Sequence, residues 1–469
     1  MPQFIADLHI HSKFSMASSK KLTPDWLHFW ARAKGIGLVG TGDFTHPLWL
    51  NLLQEQLVEA ETGLYALQPE FVHSADWVSY ENPRFMLTAE ISTIYKKAGK
   101  TRKVHTILWA PSFNIVQKIQ KEFDARGYNI RSDGRPIIGL DAADLVEMCL
   151  NISEDVVCVP AHIWTPWFSA LGAKSGFDSI EECYGDMASH IFAVETGLSS
   201  DAPMNFMCSK LDTYALLSNS DAHSPEKIGR NANLFHCDMD YYAIVNALKQ
   251  RNGKSFIGTI DMYPQEGKYH FSGHRKCNVC LSPLEVLEHN FTCPVCNKPI
   301  TLGVMDRVAQ LSDRDDITPC ESLQKTQYLI PLVEILSEMY GLGAASKRVA
   351  KEYQNCVRLG KNEIYFLSEK PIDEIAQECS PMLAEGIRRM RQGTVFLSPG
   401  FDGEYGSVRV FTETETQLFK QNPLYVPNVL PEQKGERFNF DLALYHEKAK
   451  TIDFSCISGK KADTQLRLF

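Results

Sequence analysis

The sequence predicts an α/β fold: strand–helix units to about residue 262, a small cysteine-bearing piece, then a mainly helical region. Three observations predict it. Short apolar runs alternate with helical patterns through the first half of the chain. Two closely spaced cysteine pairs interrupt that rhythm after residue 276. Helical periodicity then returns in stretches such as "PLVEILSEMYG" and "SKRVAKEYQNCVRLG".

The apolar runs, in order, are "FIADLHIHS", "GIGLVGTGDFTH", "RFMLTAEIS", "VHTILWAP", "DVVCVPAHIW", "HIFAVETGLSS" and "YALLSNSDAH". Read as strands with helices between them, they imply a parallel sheet or barrel. "TPDWLHFWARAKG" is one such helix, with Thr23 and Pro24 as its cap and first turn and Gly35 as its stop. Four regions follow: 1–262, 263–300 around the cysteines, 301–410 mainly helical, and 411–469. The last is polar and weakly periodic, and reads as an extended tail with some ordered pieces.

Composition narrows the classes. With 44% hydrophobic and 10% aromatic residues, the chain is that of a globular protein. It has no apolar run near the roughly 20 residues a membrane span needs. Its start lacks the basic and apolar regions of a signal peptide, so a cytoplasmic protein is expected. Thirteen cysteines, an odd number, argue for reduced thiols rather than a disulfide framework. The net charge of −9 argues against a general nucleic-acid binder, although basic clusters stand at "KKAGKTRK", "HRK" and "RRMR".

The polar residues at the run ends carry the chemistry: His9 and His11, Asp43 and His46, Glu90, His105, His162, Glu195, Asp221 and His223. One such histidine is an ordinary core imidazole. A whole set delivered to one rim of a sheet is a metal site. His9 and His11 share a side of their strand, because side chains alternate with period two. The candidates outnumber what one ion takes, so a di- or trinuclear centre of Zn²⁺, Mn²⁺, Mg²⁺ or Fe²⁺ is implied, the sequence not ranking the metals. Clustered divalent ions suit phosphoryl chemistry by a metal-bound hydroxide, with Glu90 or Asp221 bridging. Asp221, Glu90 and His223 are the candidate catalytic groups.

Cys277-x2-Cys280 and Cys293-x2-Cys296, twelve residues apart, have the spacing of a structural zinc ribbon.

The strand-end motifs "DLHIHSKFS", "GTGDFTHP", "TAEIS", "HTILWAP", "PAHIW", "AVETG" and "SNSDAH" resemble those of the PHP (polymerase and histidinol phosphatase) superfamily. The resemblance implies a distorted (β/α)7 barrel, three metals and phosphoester hydrolysis. Many members have Asp-His where this chain reads "GDFTH", leaving open whether Asp43 or His46 is the ligand. Together with the cysteine pairs, "EGKYHFSGHRKC" and "PGFDGEYG", the chain to about residue 411 resembles the endonuclease Q family. That implies a strand nicked 5′ to a deaminated base (uracil, hypoxanthine or xanthine) or an abasic site, with the base swung into a pocket. The candidates for contacting the DNA or the base are then Trp164, Trp167, Phe168 and Tyr269 beside the rim, His274, Arg275 and Lys276, and Gly403 within the glycine-rich "SPGFDGEYG". The alternatives are a PHP phosphoesterase acting on a small phosphate ester, and a non-enzymatic adaptor. The terminal Gln465, Leu466, Leu468 and Phe469 resemble the peptide by which bacterial DNA enzymes dock on the β sliding clamp.

Overall fold

Strands form where the apolar runs predict them, and their directions differ from the expected parallel set. The computed structural model describes residues 3–79, 81–314, 316–317, 320, 324–422, 425, 427 and 440–452. Strand Gln3–Asp7 pairs parallel with Leu38–Gly40 on one side and antiparallel with Ala232–His236 on the other. Leu38–Gly40 in turn pairs parallel with Arg84–Lys97.

The departure lies in Arg84–Lys97 and Lys100–Ala110, which form one long antiparallel ribbon. Its turn is Ala98–Gly99, both with positive φ (52° and 75°). That geometry matches the right-handed twist of paired strands and closes a two-residue hairpin. A direct hairpin leaves no crossover helix, so the second strand must run back antiparallel. Val157–Pro160 then pairs antiparallel with Lys100–Ala110. The sheet is therefore mixed, which corrects the parallel expectation.

Beyond it, Ala193–Glu195 and Ala215–Leu217 form a separate parallel pair. Single backbone bonds link this pair to its neighbours. Ile163 N donates to Glu195 O at 2.9 Å, Asp221 N to His9 O at 2.9 Å and His11 N to Ala222 O at 3.0 Å. Among the described residues no continuous ladder closes the circuit. Phe4, Ala6 and Leu8 alternate onto one face and pack with Met86, Trp109, Val159 and Leu217. Each fully buried aliphatic side chain there contributes about 1.5–3 kcal/mol.

Helix Pro24–Lys34 begins and ends as its signals predict, with Thr23 extended and Gly35 at φ 88°. The region boundary expected at 262 is crossed by the chain itself: strand Lys325–Tyr328 returns to pair parallel with Phe256–Asp261. Five helices follow, Leu332–Tyr340, Lys347–Gly360, Glu363–Ser368, Ile372–Glu378 and Pro381–Gln392. Three are capped by Ser346, Asn362 and Ser380, whose side chains accept from backbone N–H groups in the first turn. This unit docks on the first region through a buried pair, Lys34 Nζ to Glu363 Oε2 at 2.5 Å, with Tyr353 OH donating to the same oxygen at 2.6 Å.

Two helices replace part of the expected tail, Glu413–Gln421 and Leu442–Ala449. The first starts in a capping box of Thr412 and Glu415. In the second, His446 Nε2 lies 3.1 Å from Ala309 O, and Lys448 Nζ pairs with Glu288 at 2.7 Å. Residues 465–469, expected to dock on a clamp, lie outside the described residues. Among the described residues no helix is long and apolar enough to cross a membrane.

Candidate metal centre

The strands bring their polar ends to one place. Three sets of side chains have ligand atoms mutually within 4.8 Å: His9, His11 and Glu90; His11, Asp221 and His223; and Glu90, His105 and His162. His11 and Glu90 are shared between sets, an arrangement suited to more than one cation. Glu90 is the hub. Its Oε1 lies 2.5 Å from His105 Nδ1 and 3.1 Å from His162 Nε2, and its Oε2 lies 3.5 Å from His11 Nε2. Unlike the other candidates, Glu90 and His105 sit inside the long ribbon rather than at a strand end.

Two expected ligands stand one step back. Glu195 Oε1 lies 2.9 Å from His9 Nδ1, and its Oε2 accepts from His162 N at 2.8 Å. Asp43 Oδ1 lies 3.3 Å from His11 Nδ1, while its Oδ2 accepts from Ser12 N at 2.6 Å and Ser15 Oγ at 2.7 Å. Each carboxylate thus grips the Nδ1 side of a histidine and turns Nε2 towards the cluster, as outer partners of ligating histidines do. His46 is apart: its Nε2 lies 3.1 Å from Arg131 O and its ring stacks on Phe14 at 4.3 Å.

The backbone is bent to make this constellation. Asp43, His162 and Asp221 have positive φ (48°, 30° and 47°), a region that costs ordinary side chains free energy and that recurs at functional sites. Buried histidines beside buried carboxylates titrate abnormally. Burial opposes a charge on His11, but Asp221 and Asp43 outweigh it and push its pKa up to about 9. His105 goes the other way, pulled to about 4 mainly by burial in spite of Glu90. Asp221 is depressed because His11, His9 and His223 outweigh its burial. Negative charge is thus held here by whatever positive charge is at hand.

The donor set fits divalent cations: imidazole nitrogens and carboxylates, buried and convergent. A further observation agrees. His9 Nε2 is buried with no hydrogen-bond partner, although Nδ1 is engaged by Glu195. An imidazole nitrogen so placed costs free energy unless something accepts its lone pair.

The cysteine pairs come together with one substitution. The tight group is His274, Cys277, Cys293 and Cys296, with His274 Nδ1 3.5 Å from Cys296 Sγ. Cys280 sits on strand Val279–Leu281, outside that group, its thiol pushed up to about 11 mainly by burial. The expected four-thiolate set is therefore corrected to three thiols and His274, a donor set that also suits tetrahedral zinc. Behind it, Asp306 is fully buried against Ser272. Burial raises its pKa to about 7, partly countered by that hydrogen bond. Because the folded value exceeds the unfolded one of 3.8, stability falls as pH rises from about 4 to about 7. Asp306→Asn is expected to remove this slope, gaining on the order of 4 kcal/mol relative to the parent at pH 8 over pH 4. Denaturant titrations at both pH values check it.

The expected base-contacting residues separate. Trp164 is 1% exposed, with Nε1 donating to Asn205 Oδ1 at 2.7 Å, so it is core and has no face for a base. Trp167 and Tyr269 are half-buried and meet edge to face at 5.8 Å. Phe168 packs on His105 at 4.8 Å. In the glycine loop, Gly400 and Gly406 serve the protein's own backbone: a Cβ on Gly406 would lie 2.0 Å from Gln265 O. Gly403 is open, at φ 89°, near Tyr269 OH. Arg275 pairs with Glu404 and its N–H donates to Asp402, while Lys276 is exposed.

Sequence reading missed Arg135, Ser15 and Asn219. Asn219 Nδ2 donates to Glu195 at 2.9 Å, and Arg135 Nη1 to Glu90 Oε2 at 3.1 Å. The signals were there, as "SDGRP" and the Asn inside "SNSDAH", but the first lies outside the apolar runs and the second is an amide beside the Asp and His that end one.

Fold and centre place the chain among α/β proteins whose gathered histidines and carboxylates could hold divalent cations. Comparison with solved structures narrows this. The crystal structure of the lesion-specific endonuclease PfuEndoQ from Pyrococcus furiosus superposes with a TM-score of 0.75 at 30% identity, covering 91% of this chain and 100% of that one. Endonuclease Q in complex with a 27-mer duplex substrate bearing an abasic lesion at the active site gives 0.75 at 29%, covering 93% and 100%. The chain belongs to the endonuclease Q family. Residues 331–394 match the family model of the MJ0043 C-terminal domain. Among curated proteins, the uncharacterised MJ0043 of Methanocaldococcus jannaschii is 34% identical over 256 residues, which is 53% of this chain. The match spans about a third of MJ0043 (31%). The uncharacterised YqxK of Bacillus subtilis is 28% identical over 426 residues, covering 87% of this chain and 100% of YqxK.

Proposed function

We propose that this chain is a metal-dependent DNA-repair endonuclease that nicks a damaged strand 5′ to a deaminated base or an abasic site. The observation that carries the reading is the buried histidine–carboxylate cluster within an endonuclease Q fold. Relatives described as lesion-specific and as bound to an abasic duplex support the substrate. The strand neighbours running from Gln3–Asp7 round to Ala215–Leu217 support a PHP-type distorted barrel.

His9, His11, Glu90, His105, His162, Asp221 and His223 would hold the metals, with Glu195 and Asp43 orienting His9 and His11. Bound divalent cations would acidify water and neutralise phosphate charge. The chain's own contribution is placement. Glu90 and Asp221 each face several histidines, fixing the reacting phosphate's surroundings before substrate arrives. His223, 35% exposed, stands at the edge of the cluster that faces solvent. Water supplies the hydroxyl that bonds to phosphorus, and the P–O3′ bond breaks. The leaving oxygen takes the proton, leaving a 3′-hydroxyl and a 5′-phosphate on the lesion nucleotide. The lesion base is swung out between Trp167, Phe168 and Tyr269, with Gly403 behind, a step that costs least for a mispaired or missing base. His274, Cys277, Cys293 and Cys296 would hold one structural zinc ion.

A labelled duplex with one uracil, hypoxanthine or abasic site, incubated with divalent metal, is expected to be nicked at the bond 5′ to the lesion. Turnover of a small phosphate ester without that nick overturns the reading in favour of a small-ester phosphoesterase.

The terminal Gln465–Phe469 peptide is read as a β-clamp ligand, which would hold the nuclease near replicated DNA. Its deletion is expected to leave nicking of short oligonucleotides unchanged and to abolish capture on an immobilised bacterial clamp. A lowered melting temperature with unchanged capture would instead mark it as a buried strand.

A further inference from the structure

We infer that Arg135 is the residue that grips the scissile phosphate, contacting a non-bridging oxygen while the cations hold the cluster; the inference rests on the endonuclease reading. The guanidinium is the cation found against the hub, with Nη1 3.1 Å from Glu90 Oε2. Among the described residues this is the one hydrogen bond its side chain makes. A guanidinium has five N–H donors in a planar fork, so most of its capacity is unspent. Its side chain is 25% exposed beside a carboxylate with no exposure at all. It therefore stands between the buried ligands and solvent, on the route by which a phosphate reaches them.

Its loop is built to hold it there. Gly134 N donates to Phe14 O at 3.0 Å and Ser92 N to Pro136 O at 3.0 Å. Arg135 N and Met16 N both donate to Asp133 Oδ1, at 2.9 and 3.4 Å. Ile137 and Ile138 then pair with Ser92 and Thr93 on the ribbon that carries Glu90. Gly134 passes so close to Asp43 that a Cβ would lie 2.2 Å from Oδ2, so glycine is required for the loop to reach the cluster. Arginine is thus tied on one side to the ribbon and on the other to the His9–Ser15 segment, both of which carry ligands.

Such fixing is more than a salt bridge to Glu90 needs. With divalent charge bound beside Glu90, the guanidinium would lose much of its attraction to that carboxylate, while its loop keeps it in place. The anion that then arrives is the phosphodiester, whose two non-bridging oxygens match the fork. Charge grows on those oxygens as the P–O3′ bond breaks, so the contact strengthens in the transition state.

The test compares Arg135→Ala and Arg135→Lys with the parent holoenzyme. Arg135→Ala is expected to lower the single-turnover nicking rate on an abasic duplex by at least about 100-fold at every metal concentration. Arg135→Lys is expected to recover part of the loss, because lysine keeps the charge without the fork. The second readout is equilibrium binding of a nicked duplex whose lesion nucleotide ends in a 5′-phosphate or a 5′-hydroxyl. The parent is expected to prefer the phosphate, and Arg135→Ala to lose that preference. Recovery of the parent rate by excess metal, or an unchanged phosphate preference, overturns the inference and makes Arg135 a positioning residue for Glu90. A parent that nicks normally beside an unimpaired Arg135→Ala also overturns it, whereas a parent that does not nick lesion DNA removes the endonuclease reading itself.

Discussion

Glu90→Gln is expected to lower the nicking rate on the order of 1000-fold or more and to reduce the divalent metal retained by the purified chain. No other side chain touches so much of the centre. Glu90 faces His105, His162, His11 and His9 at 2.5 to 3.6 Å and Arg135 at 3.1 Å. Burial alone would raise its pKa, but His105, Arg135 and His9 together hold it well below 4.5. A depressed carboxylate contributes stability above its unfolded pKa and loses it as pH falls towards the folded value. In metal-free protein the substitution leaves Arg135 without its buried carboxylate partner, at a cost on the order of 3–5 kcal/mol at neutral pH. That cost should shrink below pH 4.5, where the unfolded carboxyl is itself protonated. Single-turnover nicking, metal analysis and denaturant titrations of the metal-free chain at two pH values read all three effects.

Arg389→Ala is the second large change, and it acts on stability alone. The side chain is fully buried in helix Pro381–Gln392. Nη2 and Nη1 meet Glu415 at 2.8 and 3.0 Å, Nε meets Glu385 at 2.8 Å, and Nη1 also reaches Val410 O at 2.9 Å. Removing the arginine strands Glu415 and an acceptor carbonyl in the interior, which costs on the order of 3–5 kcal/mol. A lowered denaturant midpoint, with the nicking rate of the folded fraction unchanged, is the expected result. The same residue shows why a boundary at 410 divides one packed unit. Glu415 both caps its own helix and neutralises Arg389.

The candidate ligands were legible because His, Asp and Glu are chemically expensive to place within or at the ends of apolar strands without a purpose. The distinction between metal ligands and the carboxylates that orient them was not. Glu195 and Asp43 have the same residue types and the same position at a strand end as true candidates, and only distances to Nδ1 separate them. Arg135 was invisible because its loop lies outside the periodic runs and reaches the centre through Gly134. The thiol spacing pointed to the piece where Cys277, Cys293 and Cys296 gather, but His274 joins them through the pairing of Ser272–His274 with Val279–Leu281, which brings His274 opposite Val279. The parallel expectation fails at "KKAGK", where Ala98–Gly99 is a hairpin turn that joins two strands directly. The tail was read as extended because its composition is polar, although "TETE" after residue 411 is a capping box in plain view.

The returning strand Lys325–Tyr328 has a consequence for how the chain is made. Strand Phe256–Asp261 takes one of its two partners from residues that emerge from the ribosome more than sixty positions later. Until then one of its edges is open, and open strand edges recruit other chains. Strand Gln3–Asp7, the first to be synthesised, likewise waits for Ala232–His236 before its own sheet is complete. A fragment ending at residue 262 would keep every ligand of the metal centre and yet carry a permanently bare edge. Such a fragment should accumulate as insoluble aggregate, while one extended through Tyr328 covers the edge that the shorter fragment exposes.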